Sequence, residues 1–205
     1  MPRPVCQEAA RLRGGVAHYA PEFGHRQIFI KANRIRSIEV KGVAMVHEGI
    51  RSELMGIVNY GIVALIQLER GYVDHVDLSP EAALAEYDRY AQASLELMLA
   101  KNHDYDEAWR SMRPSSYTDL ILMKIYRTKQ IESLQGQTLV SEGVAANYMD
   151  MINYAAFGLI KANERAEGEA VDEARKACNE TFQVISSPGA PAGDSPLGPE
   201  PSPRN

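Results

Sequence analysis

The densest group of chemically capable side chains is Lys101-Asn102-His103-Asp104-Tyr105-Asp106-Glu107-Ala108-Trp109. Asp104 and Glu107 stand three apart, so on a helix their carboxylates share a face and offer the hard oxygen ligands that Mg²⁺ prefers. Tyr105 and Trp109 stand four apart and would stack on another face of the same helix. An acidic run at a helix end also serves as a plain solvated face. A second kind of site is cationic: Lys31 with Arg34 and Lys124 with Arg127, each three apart and able to hold phosphate oxygens. Those cations could instead pair with Glu39, Glu48, Glu132 and Glu142. A third is the strip Asn147, Asp150 and Asn153, on neighbouring helical turns, where Asp150 is the carboxylate best placed for a cleft. The alternative for this strip is structural, with the polar groups satisfying backbone and partner side chains. His103-Asp104 with His75 and Asp150 also suggests a metal-dependent phosphohydrolase, but His75 falls in the connector Gly71-Tyr72-Val73-Asp74-His75.

The elements that must position these groups are helical. Ala, Leu, Glu, Met and Gln are frequent and alternating apolar runs are few. Ser79 can cap, Pro80 suits a first turn, and Glu81 favours the positive helix end. Leu84, Tyr87, Ala91, Leu95 and Met98 then predict one buried stripe along a helix to about Lys101. A second start follows Arg113-Pro114, where Ser116 and Asp119 fit a capping box and Leu120, Ile121, Met123, Ile125 and Ile131 continue as a buried helix.

An internal repeat decides the architecture. Ile28 to Arg34 aligns with Ile121 to Arg127, and Ile38-Glu39 with Ile131-Glu132, at a constant offset of 93. One inserted residue later, Glu48-Gly49 matches Glu142-Gly143, Met55 matches Met149, Asn59-Tyr60 matches Asn153-Tyr154, and Leu65-Ile66 matches Leu159-Ile160. Fourteen identities over about 40 positions imply a duplicated unit whose copies bury apolar faces against each other. The copies differ where Gly56 stands for Asp150 and Glu53 for Asn147. The expected fold is an all-α, pseudo-twofold helical bundle. Its expected parts are a poorly matched segment 1–27, a partial first repeat 28–70, a second repeat 79–165, and a disordered Pro-rich tail 186–205.

Composition narrows the partners. The 205 residues are 45% hydrophobic and 24% charged with a net charge of -5, which fits a folded chain without general nucleic-acid coating. Two cysteines, Cys6 and Cys178, write neither a zinc site nor a disulfide framework. No apolar run has signal-peptide or membrane-span length, so a cytoplasmic location without membrane contact is expected, and a homodimer is left open.

The run from Lys101 to Tyr105, with Ala108-Trp109-Arg110, Arg113-Pro114-Ser115-Ser116, Thr118-Asp119, Lys124, Arg127, Glu142-Gly143 and Asp150 to Tyr154, resembles nucleotide modification associated domain 1, a bacterial and phage family. The likeness spans about Ile28 to Ala162. It departs twice: Asp106 stands where the family usually has Gly, and Met1 to Gln27 replace or lack the first copy's opening segment. The Lys-x-x-Asp-Tyr stretch is also similar to the all-α MazG-type nucleoside triphosphate pyrophosphohydrolases, without their paired Glu-x-x-Glu and Glu-x-x-Asp signature. The resemblance implies a nucleotide-binding or nucleotide-processing protein, with Mg²⁺-dependent triphosphate hydrolysis as the enzymatic form and an interaction scaffold as the alternative. In that enzymatic form Asp104, Glu142 and Asp150, with Glu107, hold Mg²⁺. Lys101, Lys124, Arg127 and Asn153 contact the nucleotide, and Tyr105 or Trp109 stacks on its base.

Overall fold

The computed structural model describes residues 23–45, 49–71, 76–134 and 143–186. They form α1 (Phe23–Lys41), α2 (Ile50–Arg70), α3 (Pro80–Tyr105), a 3-10 turn (Ala108–Ser111), α4 (Pro114–Ser133) and α5 (Val144–Ser186). No strand occurs among these residues, and the fold is all-α. Glu48, Glu142, His75, the opening residues through 22 and the tail from 187 lie outside the described residues.

The chain divides into two compact units, Met1–Glu164 and Arg165–Asn205. In the second, α5 continues as exposed helix to Lys176, braced by an Arg165–Glu169 ion pair of 2.7 Å one turn apart.

The first unit holds the duplicated helices. Ile28, Ala32 and Ile35 bury one face of α1, and the repeat-equivalent Ile121, Ile125 and Thr128 bury the same face of α4. Each buried isoleucine stabilises the fold by about 1.5–3 kcal/mol. Thr128, the polar member, donates its hydroxyl to the Lys124 carbonyl at 2.9 Å, so its burial leaves no orphan. The two copies then meet through matched contacts. Thr118 donates to Glu39 at 2.9 Å, and its repeat mate sets His25 Nδ1 at 3.1 Å from Glu132. Positions 25 and 118 correspond, as do 39 and 132, so one contact is the pseudo-twofold image of the other. The second helices cross antiparallel at small residues. An ideal Cβ on Gly61 would lie 2.6 Å from Ile152 Cγ1, and one on Gly158 would lie 3.1 Å from Leu54. Any side chain at Gly61 would force the helices apart.

Ser79 caps α3 as its position implied, accepting from the Ala82 amide at 3.2 Å with Pro80 in the first turn. Of the expected stripe on α3, Tyr87, Ala91 and Met98 pack inward and two positions differ. Tyr87, Tyr90 and Ser94 face inward, while Leu84 and Leu95 are exposed. The tyrosine hydroxyls decide this: Tyr87 donates to Asn59 at 2.7 Å and Tyr90 to Glu69, both on α2. A ring with a satisfied hydroxyl buries more area than leucine. The second start also shifts. Arg113 occupies the N-cap position without a side-chain cap, so Ser116 sits inside the first turn, its amide donating to Arg113 O at 2.9 Å. Asp119 instead takes the Arg36 guanidinium of the other copy.

The chain breaks where one helix was expected to carry both Tyr105 and Trp109. Asp106 and Glu107 are left-handed, each at φ 50°, and the 3-10 turn follows. That conformation costs a side-chain-bearing residue roughly 1–2 kcal/mol and glycine nothing. Asp106→Gly should therefore raise stability by about 1 kcal/mol and the melting temperature by about 2–4 °C, measurable by calorimetry.

Candidate functional site

The second copy's polar strip is buried as a unit. Asn147, Asp150 and Asn153 are 1%, 3% and 4% exposed, one turn apart on α5. Cations from two other helices converge on the middle carboxylate. Lys101 Nζ at the end of α3 lies 2.5 Å from Asp150 Oδ1, and Lys124 Nζ on α4 lies 2.7 Å from Oδ2. Burying a carboxylate is costly unless hydrogen-bond donors and opposite charge meet it, and the two ammonium groups supply both. Lys101 keeps 38% of its side chain exposed and so marks where this seam opens to solvent.

The flanking amides are not satisfied. Asn147 Nδ2 and both amide atoms of Asn153 are fully buried and have no hydrogen-bond partner. Two more orphans are Ser94 Oγ on α3 and Trp109 Nε1. Ser94 is one turn before Met98, Asn153 one turn before Phe157, and Met98, Phe157 and Trp109 pack in one cluster. Each buried orphan costs about 1–3 kcal/mol unless a water or ligand meets it.

The first copy carries the same motif in different registration. Glu53, 1% exposed, receives Arg34 and lies 3.1 Å from Lys31. Its repeat equivalent is Asn147, whereas Asp150 corresponds to Gly56. The longer glutamate one turn earlier does for Lys31 what the aspartate does for Lys124. The stem of Lys31 lies over Gly56, with Cε 3.2 Å from an ideal Cβ there. Lys31, Arg34 and Lys124 therefore pair with the helix that follows their own. Glu39 and Glu132 bridge the copies instead.

The other sequence candidates scatter. Asp104 is 74% exposed, with His103 Nδ1 at 3.2 Å, and Glu107 pairs with Arg110 at 2.6 Å. That hydrogen bond holds the Glu107 carboxyl below the usual range. Tyr105 is 70% exposed at the helix end. Trp109 is buried, stacked on Phe157 at a centroid distance of 4.4 Å, with the Arg110 guanidinium 4.4 Å over the ring. These neighbours must take opposite faces of the indole, so no face is open to a base. Arg127 donates to Gln130 at 2.6 Å. Among the described residues no three His, Cys, Asp or Glu side chains gather to hold a metal ion. Asp150 already spends an oxygen on each lysine, so the described residues do not fit a preformed Mg²⁺ cage.

Sequence reasoning left the first-copy acid, Glu53, without its role, and did not single out Ser94. The exchange of Glu53 for Asn147 and of Gly56 for Asp150 was the available signal, since an acid that moves by one helical turn keeps reach of the same lysine.

No helix among the described residues is long and apolar enough to cross a membrane. No curated protein and no solved structure matches the chain. A family model described as Nucleotide modification associated domain 1 matches residues 25–68 and 101–162. These segments contain both duplicated helix pairs and the Lys101, Lys124 and Asp150 seam, and they take in just over half of the sequence. The chain belongs to the nucleotide modification associated domain 1 family.

Proposed function

We propose that this protein binds a nucleotide at the seam of α3, α4 and α5, with the phosphates drawn to Lys101 and Lys124. The supporting observation is that two ammonium groups from separate helices meet on one buried carboxylate, leaving an excess of one positive charge at an edge where Lys101 remains reachable. Each ammonium has three donors and can serve Asp150 and a phosphate oxygen together. The family's link to nucleotide modification agrees with such a ligand. Mg²⁺ would come with the triphosphate, and without an acid cage among the described residues the proposal stops at binding and includes no hydrolytic step.

Titration calorimetry with deoxynucleoside mono- and triphosphates, with and without Mg²⁺, tests this. Binding should be seen, and Lys101→Met should weaken it by about tenfold, the worth of one charge-assisted hydrogen bond. Silence with every nucleotide, or an unchanged affinity in the variant, overturns it.

One observation favours a second reading, a non-catalytic scaffold. Both Asp150 oxygens are occupied and Glu53 repeats the arrangement, so these ion pairs could serve only to fix helix registration.

A further inference from the structure

We infer that the Asn153 side-chain amide reads the edge of a nucleobase, once per chain, and that Asn59 at the same repeat position cannot. The inference rests on the nucleotide reading above and adds which part of the ligand is recognised. The duplication supplies an internal control. Asn59 is 8% exposed, and its Oδ1 accepts the Tyr87 hydroxyl of α3 at 2.7 Å. Asn153 is 4% exposed, and neither its Oδ1 nor its Nδ2 has a partner. The same carboxamide is thus closed by a tyrosine in one copy and left with a donor and an acceptor side by side in the other.

A donor beside an acceptor is the complement of a nucleobase edge, where a ring nitrogen adjoins an exocyclic amino or carbonyl group. Asn153 lies one turn from Asp150, so a base held there would place its sugar and phosphate toward Lys101 and Lys124, about one helical turn away. The other orphans continue the same chemistry. Asn147 Nδ2 and Trp109 Nε1 are further donors, and Ser94 Oγ donates or accepts. Met98, an unbranched and readily repacked side chain, packs partly buried against the Trp109 and Phe157 cluster. In the first copy Glu53 occupies the position of Asn147, which would put a carboxylate where the second copy offers an amide donor.

The test combines calorimetry and thermal melts of the full chain. Probes are the four deoxynucleoside 5′-monophosphates and ribose 5-phosphate, which has no base. Wild type should bind at least one mononucleotide at one per chain, with ribose 5-phosphate weaker by about tenfold or more. Asn153→Leu removes the orphaned donor and acceptor at similar size. It should raise the melting temperature of the unliganded protein, weaken the mononucleotide by about tenfold and leave ribose 5-phosphate unchanged. Asn59→Leu should lower the melting temperature, because it removes the acceptor of the Tyr87 hydroxyl, and leave affinity intact. Equal binding of mononucleotide and ribose 5-phosphate overturns the base-reading role alone and leaves the phosphate seam standing. A lowered melting temperature with unchanged affinity in Asn153→Leu overturns it as well, as does binding of two ligands per chain. Silence to every probe overturns this inference and the nucleotide reading together.

Discussion

Asp150→Asn is expected to cost about 3 kcal/mol of folding stability, the low end for removing one member of a buried ion pair, because Lys101 can partly turn to solvent and Lys124 cannot. The carboxamide keeps the shape but offers one acceptor to two ammonium groups and sets an amide donor against a cation. Urea unfolding with linear extrapolation measures the loss. The same variant separates the two functional readings. If the seam attracts phosphate, inorganic phosphate should raise the melting temperature of Asp150→Asn more than that of wild type, since lysines no longer facing the Asp150 charge bind the anion only in the folded state. If the lysines serve registration alone, both proteins should respond alike. A stability loss below about 1 kcal/mol would show that the lysines relax away, and the buried knot would then not hold the second copy together.

Glu53→Asn should cost a similar amount, about 3 kcal/mol, because it leaves Lys31 and Arg34 facing a buried amide. The second copy supplies the remedy. Adding Gly56→Asp reproduces the Asn147 and Asp150 arrangement in the first copy, and the double variant should recover at least half of the loss. The new Cβ meets only the far end of Lys31, at 3.2 Å, which can shift by a few tenths of an ångström. Replacing glycine by aspartate inside a helix adds only about 0.3 kcal/mol in favour of the double variant, because aspartate is itself a poor helix former. Chemical denaturation of the four proteins gives the coupling directly. A double variant no more stable than Glu53→Asn would mean that the two copies do not share one register.

Much of this arrangement was legible from residue spacing. The offsets of 93 and 94 foretold which helices pair, and the strip Asn147, Asp150 and Asn153 is buried as one face because three-residue steps keep to one side of a helix. What spacing could not supply was the third participant. Lys101 reaches Asp150 across 49 residues through tertiary packing, which no local period encodes. The stripe on α3 is right at Tyr87, Ala91 and Met98 and differs at Leu84 and Leu95 for a related reason: Tyr90 goes inside because Glu69 stands opposite its hydroxyl. The Asp104 to Trp109 segment reads as continuous helix by propensity, yet two successive left-handed residues redirect it and send Trp109 into the core.

The close crossing at Gly61 makes the halves of this molecule non-interchangeable. The second copy has Ala155 where the first has Gly61, and a methyl group at that place would fall about 2.6 Å from the Ile152 side chain it must pass. Two second copies could not embrace each other in this geometry, whereas the unlike pair fits. A pair of second copies is thereby ruled out in this geometry, and carrying both copies in one chain supplies the unlike partner directly.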